Sequence, residues 1–469
     1  MAAAATLNPA VNVPEAMISR ASSQLQGAIT VPGDKSISHR ALILGALAEG
    51  QTRIEGLLEA DDILRTAAAL RSLGVRLEKD GAIWTVNGAG LGGLLSPDRA
   101  LDFGNSGTGA RLMMGVVAGH PITATFTGDA SLCRRPMGRV LDPLRRMGLS
   151  VAEEGRTTLP LTLTGTADPV PITYELPVPS AQVKSAILLA GLLASGRTAV
   201  IEAVKTRDHT ERMLNYFGAA IASTDENEGA QRVVVQGRTT LKARPVSVPG
   251  DPSSAAFPTA AAVLCDGSDI AIRGVLVNPT RTGFYTTLIE MGADLTFENE
   301  RMANGEPIAD LRVKTSSSLK GVRVPASRAP SMIDEYPCLA AIAAFAEGET
   351  VMEGLSELRV KESDRLAAMV EGLTACGVEA DSHGDTLVVR GGRKVRGGAR
   401  IATHMDHRIA MAFLILGLAA SEPVSVDDGS MIATSFPNFV PLMRSLGAAI
   451  EVAAPEPVQQ ARQSRAIEP

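Results

Sequence analysis

The chain has 469 residues, 45% apolar and 20% charged, with a formal net charge of -6. That length asks for two or three domains, and the acidic balance excludes a nucleic-acid partner, which calls for a basic excess to neutralise phosphates. One Trp, four Tyr and ten Phe also leave few platforms for stacking bases. Cys133, Cys265, Cys338 and Cys376 lie far apart without a CxxC pair, so free thiols in a reducing compartment are expected, with neither zinc nor disulfides. The longest apolar run, Ile409 to Ala420, has twelve residues, short of the ~20 that cross a bilayer, and reads as a buried helix. Residues 1–20 lack a basic stretch ahead of an apolar core and are expected to form a disordered lead rather than a signal peptide. The polar tail 455–469 is read the same way, and the location as cytoplasmic.

In chain order, the first element with chemistry is Gly33-Asp34-Lys35-Ser36-Ile37-Ser38-His39-Arg40, where a Pro-Gly turn opens an apolar helix. Acids normally favour a helix start, so the basic Lys35 and Arg40 there point to an anionic ligand. Arg40 follows Ser36 by four residues, on one helical face. The GxGxxG match from Gly88 to Gly93 has Pro97 close behind and no helix to open, so it reads as a loop. Gly104-Asn105-Ser106-Gly107-Thr108-Gly109, with Arg111 behind, is a second entry to an apolar helix, where glycine allows a ligand near the backbone. Arg134, Arg135 and Arg139 concentrate three guanidiniums suited to carboxylate or phosphate, and Cys133 is the thiol beside them. Ser180-Ala181-Gln182-Val183-Lys184-Ser185 opens a third helix with neutral donors, followed by Arg207-Asp208-His209.

The second half sets acids beside bases in Asp334-Glu335-Tyr336-Pro337, in Arg359 to Arg365 and in His404 to Arg408. Asp334 ahead of an apolar helix has an N-cap as its plain alternative, and Glu362 between Lys361 and Arg365 has a surface ion pair. A carboxylate among cations keeps its charge and serves as a base, while a second acid in one cleft delivers a proton. His404 and His407 lack a third ligand for a metal.

A repeat underlies these motifs. Six stretches end a helix on an apolar residue followed by Gly74, Gly148, Gly218, Gly292, Gly377 and Gly447, spaced by 74, 70, 74, 85 and 70 residues. Glycine there suits a helix C′ position. The pattern reads as strand, helix, strand, strand, helix, strand in each unit. Val31-Pro32-Gly33-Asp34 recurs as Val248-Pro249-Gly250-Asp251, splitting six units into two lobes of three, 34–248 and 1–33 plus 249–469.

GDKSISHR, GNSGTGAR, RRPMGR, SAQVKSA, DEYP, RVKESDR and DHRIAM, in this order, resemble the 5-enolpyruvylshikimate-3-phosphate synthase family over about residues 22 to 453, and PSMIDEYP, RVKESDRL and MIATSFP are similar to its class II branch. The resemblance implies an α/β fold of two lobes, an inside-out α/β barrel in each, and enolpyruvyl transfer from phosphoenolpyruvate to the 5-hydroxyl of shikimate 3-phosphate. It implies that Lys35, Ser36, Arg40, Ser180, Ala181, Gln182, Arg207, Asp334 and Lys361 hold shikimate 3-phosphate. Lys35, Gly107, Arg135, Gln182, Arg365 and Arg408 would hold phosphoenolpyruvate. Asp334, Glu362 and Lys35 are the catalytic candidates, Asp334 toward the hydroxyl and Glu362 toward the methylene carbon, with no metal, no organic cofactor and a monomer implied. Where many relatives carry a late lysine this chain has Thr434, and Gly107 stands where glyphosate-tolerant relatives carry alanine, implying less tolerance here. The sister enolpyruvyl transferases acting on UDP-N-acetylglucosamine share the architecture, but look for a cysteine five residues before Arg-Pro, whereas Cys133 is two before Arg135. A silent phosphoanion-binding scaffold is the remaining alternative, and the retained Asp334 and Glu362 argue against it.

Overall fold

A computed structural model describes residues 15–226, 229–392 and 394–453. Their strands form six four-stranded sheets. Every sheet has the same order of pairings: one parallel, then two antiparallel. In the second unit Leu101–Asp102 pairs in parallel with Thr123–Thr127, and Leu161–Thr164 lies antiparallel between that strand and Ser150–Val151. Helix Gly107–Ala118 fills the parallel crossover, and helix Gly138–Arg146 precedes the closing hairpin. The unit is therefore strand, helix, strand, helix, strand, strand. The sequence pattern set two strands between the helices and one after the second; the structure has one between them and two after, because the hairpin needs only a tight turn while the parallel pair needs a helical crossover.

All six repeat glycines leave their helices at positive φ, between 84° at Gly377 and 110° at Gly148, a backbone region costly for side chains with a Cβ. Three sheets borrow a strand from elsewhere in the chain. Val246–Ser247 pairs with Glu49–Glu55, Gln26–Ile29 with Asp269–Leu276, and Met17–Ser19 lies between Val424–Val426 and Ile450–Val452. The expected disordered lead thus stops short of residue 17: Met17 and Ser19 are buried and their backbone is paired on both sides. Residues 1–14 and the expected disordered tail 455–469 lie outside the described residues.

Two hydrophobic cores divide the molecule, one running from Ile37 to Val248 and joined by Leu276, the other from Met17 through Val31 and, Leu276 apart, from Ala255 to Ile450. Each centres on three helices: Lys35–Leu47, Gly107–Ala118 and Ala181–Gly191 in the first lobe, Pro252–Leu264, Tyr336–Ala343 and His407–Gly417 in the second. These helices are buried almost all round, so their residues are apolar on every face rather than on one stripe. Packing is close enough that a Cβ at Gly115 would sit 2.6 Å from the Ala186 Cα of the neighbouring helix, so only glycine fits. With sheets outside and helices inside, each lobe is an inside-out α/β barrel whose central helices start at the cleft between lobes.

Candidate active site

In the first lobe the helix starts are capped by Asp34 on the Ile37 N–H (2.8 Å), by Ser106 on the Gly109 N–H (3.2 Å) and by Ser180 on the Val183 N–H (3.4 Å). None of the three carries an acid in its first turn; the Asp34 carboxylate meets the positive end of the first dipole, while the Ser106 and Ser180 caps are neutral. Arg40 is 4% exposed. Its guanidinium donates to Thr210 Oγ1 (2.7 Å), the Ser36 carbonyl (2.9 Å) and Ser185 Oγ (2.8 Å), neutral acceptors all. Burial therefore brings it down to about 10, an effect that Glu211, Asp34 and Glu306 only partly offset. Arg111 behaves alike: it donates to Gln182 Oε1 (2.9 Å), whose amide nitrogen donates to Thr108 Oγ1 (2.9 Å), and burial with Arg135 and Arg139 nearby brings it down to about 10. Arg40, buried, and Arg111, half-buried, thus face mainly neutral groups, an arrangement that is costly for a cation removed from water.

Gly107 lies under these arginines, and a Cβ there would stand 2.8 Å from Arg111 Nη1 and 3.2 Å from Arg135 Nη1. Arg135 is held by Asn105 and by Ser131 Oγ (3.4 Å). The three guanidiniums of the Arg134 to Arg139 run do not converge: Arg134 is exposed, and Arg139 reaches across the cleft to Glu357 (3.1 Å). Lys35 pairs with Asp62 of the Asp61–Ser72 helix.

In the second lobe Asp334 is not a helix cap. Arg207 reaches it from the first lobe (2.9 Å), and Arg365 (3.4 Å) and Lys361 (3.5 Å) approach its other oxygen. Arg408 donates to its backbone carbonyl (3.0 Å). Burial alone would push the Asp334 carboxyl up, but Lys361, Arg408, Arg207 and Arg365 hold it well below the usual carboxylate range. Glu362 accepts from Arg365 Nη2 (2.5 Å). Against the same burial, Arg365, with Arg135 and Lys361, holds it low as well. Arg365 is 1% exposed and is anchored on its far side by Asp406 (2.8 Å), so the pair is no surface decoration. His404 is exposed and His407 buried; burial takes His407 down to about 3 and leaves it neutral.

The sequence candidates thus form three neighbouring sets. Ser36 and Arg40 join Ser185 and Thr210; Gly107, Arg135 and Gln182 join Arg111; Arg207, Asp334, Lys361, Glu362, Arg365 and Arg408 share one charged network. Ser180 and Ala181 start the helix that carries Gln182. Asp62, Arg111 and Asp406 were not among the expected site residues. Arg111 and Asp406 lie within motifs read from the sequence, whereas Asp62 becomes visible only through the fold. Thr434, in the position of the late lysine, turns its hydroxyl onto the Met431 carbonyl (2.7 Å) in a turn packed against the Asp61–Ser72 helix. Among the described residues no helix is long and apolar enough to cross a membrane.

The family model for EPSP synthase (3-phosphoshikimate 1-carboxyvinyltransferase) matches residues 19–443. A 3-phosphoshikimate 1-carboxyvinyltransferase of Chelativorans sp. (strain BNC1) is 60% identical over 436 residues, covering 92% of this chain and 97% of its own. That of Methylobacterium sp. (strain 4-46) is 60% identical over 443 residues, covering 93% and 98%. The solved EPSP synthase of Acinetobacter baumannii superposes with a TM-score of 0.84 at 44% identity, over 94% of this chain and 100% of that one. With the fold, the cationic cleft and nearly full-length relatives in agreement, the chain belongs to the EPSP synthase family.

Proposed function

We propose that this chain transfers the enolpyruvyl group of phosphoenolpyruvate to the 5-hydroxyl of shikimate 3-phosphate, releasing phosphate, and that its cleft divides the work as follows. Ser36, Arg40, Ser180, Ala181, Gln182 and Arg207 hold shikimate 3-phosphate; Gly107, Arg135, Gln182, Arg365 and Arg408 hold phosphoenolpyruvate; Lys35 and Lys361 lie between them. The methylene carbon of phosphoenolpyruvate takes a proton from Glu362 while the attacking hydroxyl gives its proton to Asp334. A new C–O bond forms at the adjacent carbon, giving a tetrahedral intermediate. The C–O bond to phosphate then breaks as Asp334 passes its proton to the leaving phosphate, and Glu362 takes back a proton from the methyl group, restoring the double bond. The cations of the cleft stabilise the charge that develops, so no metal or organic cofactor enters the scheme.

The observation that carries this reading is that Arg207 (2.9 Å), Arg365 (3.4 Å) and Lys361 (3.5 Å) converge on Asp334 while Arg365 also holds Glu362, so that these cations keep both acids anionic. An acid so held is a poor base and has no proton to give. Anionic substrates bound on those same cations cancel part of their field and raise both carboxyls, so proton transfer becomes competent only once the cleft is filled. Binding of phosphoenolpyruvate should therefore take up a proton at Glu362. Calorimetry in buffers of different ionisation heat tests this. Wild type should take up a proton, while Glu362→Gln should bind without uptake and release phosphate at least about a hundredfold more slowly; equal uptake in both proteins would contradict the role.

The lobe division at 34–248 against 1–33 plus 249–469 belongs to this reading and is supported by the strands exchanged near residues 26–29 and 246–247. So does a cytoplasmic monomer, since one chain supplies both walls of the cleft.

A further inference from the structure

The two chain crossings between the lobes carry the same four residues, Val31-Pro32-Gly33-Asp34 and Val248-Pro249-Gly250-Asp251, and the scheme above gives them no task. They run side by side. Gly33 and Gly250 form an antiparallel bridge, the Asp34 N–H donates to the Pro249 carbonyl (2.7 Å) and the Asp251 N–H to the Pro32 carbonyl (2.9 Å). Each aspartate caps a helix of its own lobe: Asp34 the helix of Lys35 and Ser36, Asp251 the Pro252–Leu264 helix.

Both carboxylates face one guanidinium. Arg281 donates through Nη1 to Asp34 Oδ2 (2.9 Å) and through Nη2 to Asp251 Oδ1 (3.1 Å). It is 2% exposed, and although burial opposes its charge, Asp34 and Asp251 reinforce it. Nη2 also donates to Ser253 Oγ (2.9 Å), and that hydroxyl donates in turn to Glu335 Oε1. Glu335 is buried and directly follows Asp334 in the chain. One side chain is thereby hydrogen-bonded toward the start of the Lys35 helix in one lobe and toward the Asp334 turn in the other.

We infer that Arg281 is a positioning residue for the transfer reaction, setting the Lys35–Ser36 helix start against the Asp334 turn through Asp34 on one arm and Ser253 and Glu335 on the other. This rests on Asp334 and Lys35 acting as proposed above. A clamp that served stability alone would need only a positive charge between two aspartates, which lysine also supplies. Setting two elements in register needs the planar fork, because an ammonium is a point charge and cannot reproduce the fixed angles between the arms.

The test separates these roles. Arg281→Lys should melt near the wild-type temperature, yet lose on the order of tenfold to a hundredfold in kcat and show a raised KM for shikimate 3-phosphate, as expected of a sub-ångström displacement of reacting groups. Ser253→Ala cuts only the Glu335 arm, and should lower kcat about tenfold with both KM values within about twofold of wild type. A folded Arg281→Lys enzyme with wild-type kcat and KM overturns the inference, as does wild-type kcat in Ser253→Ala, which decides alone if the lysine variant does not fold. Asp334→Ala is measured alongside. If it stays active, the reading of the site fails; if it is inactive while the other two variants match wild type, only the positioning role fails.

Discussion

Replacing Asp334 with asparagine keeps the shape of the side chain and removes one negative charge from among Arg207, Lys361, Arg365 and Arg408, and this should move turnover and binding in opposite directions. Turnover loses its base, and positioned proton transfer contributes on the order of a hundredfold to ten-thousandfold. Binding gains, because Arg207 at 2.9 Å and Lys361 at 3.5 Å no longer have a carboxylate to leave. A charge-assisted hydrogen bond contributes about 1.5 to 3 kcal/mol, of which the amide oxygen of asparagine retains a part. The dissociation constant of shikimate 3-phosphate should accordingly tighten by up to about tenfold. The empty variant should melt lower, since its cations have lost their partner, and the ligand should restore more of that loss than it adds to wild type. Steady-state phosphate release and calorimetric titration with shikimate 3-phosphate read the two effects separately. A variant with kcat within tenfold of wild type would refute Asp334 as the base. Lost turnover accompanied by weaker binding would refute the electrostatic reasoning and make Asp334 a ligand-holding group only.

Gly107→Ala should weaken inhibition by glyphosate and also raise KM for phosphoenolpyruvate a few-fold, because its Cβ, 2.8 Å from Arg111 Nη1, must displace a guanidinium that orients Gln182; unchanged inhibition and KM would contradict this. Arg40→Met should raise the melting temperature of the empty enzyme by removing a buried cation that lacks a carboxylate partner, while abolishing the upward shift given by shikimate 3-phosphate; a retained shift would place the phosphate elsewhere. Glu306 is brought up to about 7 from the ordinary 4.5 by burial, with Asp208 adding to it and Asn278 opposing. Between those values the folded state holds a proton that the unfolded state has released, so stability is full below the lower value and falls as pH rises through the higher one. Glu306→Gln should therefore gain on the order of 3 kcal/mol at about pH 8 relative to wild type and nothing at about pH 4, measured by urea unfolding; equal differences at both pH values would contradict the buried titration.

Much of the architecture was legible because glycine and apolar spacing are local signals. The six Apo-Gly turns mark helix ends whatever surrounds them, and the repeated Val-Pro-Gly-Asp marks the crossings. What the spacing missed is non-local. Met17 to Ser19 is a strand only because Val424–Val426 and Ile450–Val452 pair with it from more than 400 residues away, and a three-residue segment has no periodicity to read. The order of strands and helix within a unit was misjudged for a related reason, since alternation alone does not tell a crossover strand from a hairpin. At the site, the motifs named most of the charged residues but not their partners. That Lys35 meets Asp62, that Arg365 is anchored by Asp406, and that Arg135 lies beside Gly107 while Arg139 of the same run bridges to Glu357 depend on packing between elements. Arg281, in a stretch with no charged neighbour within seven residues on either side, gave no signal before the fold brought Asp34 and Asp251 to it.

The central claim is that a cleft built from both lobes moves the enolpyruvyl group of phosphoenolpyruvate onto shikimate 3-phosphate. Phosphate release from phosphoenolpyruvate, followed with shikimate 3-phosphate and with UDP-N-acetylglucosamine as alternative acceptors, tests it most directly. Release with the first acceptor and none above background with the second is the predicted result; release with UDP-N-acetylglucosamine alone, or with neither, would contradict the account.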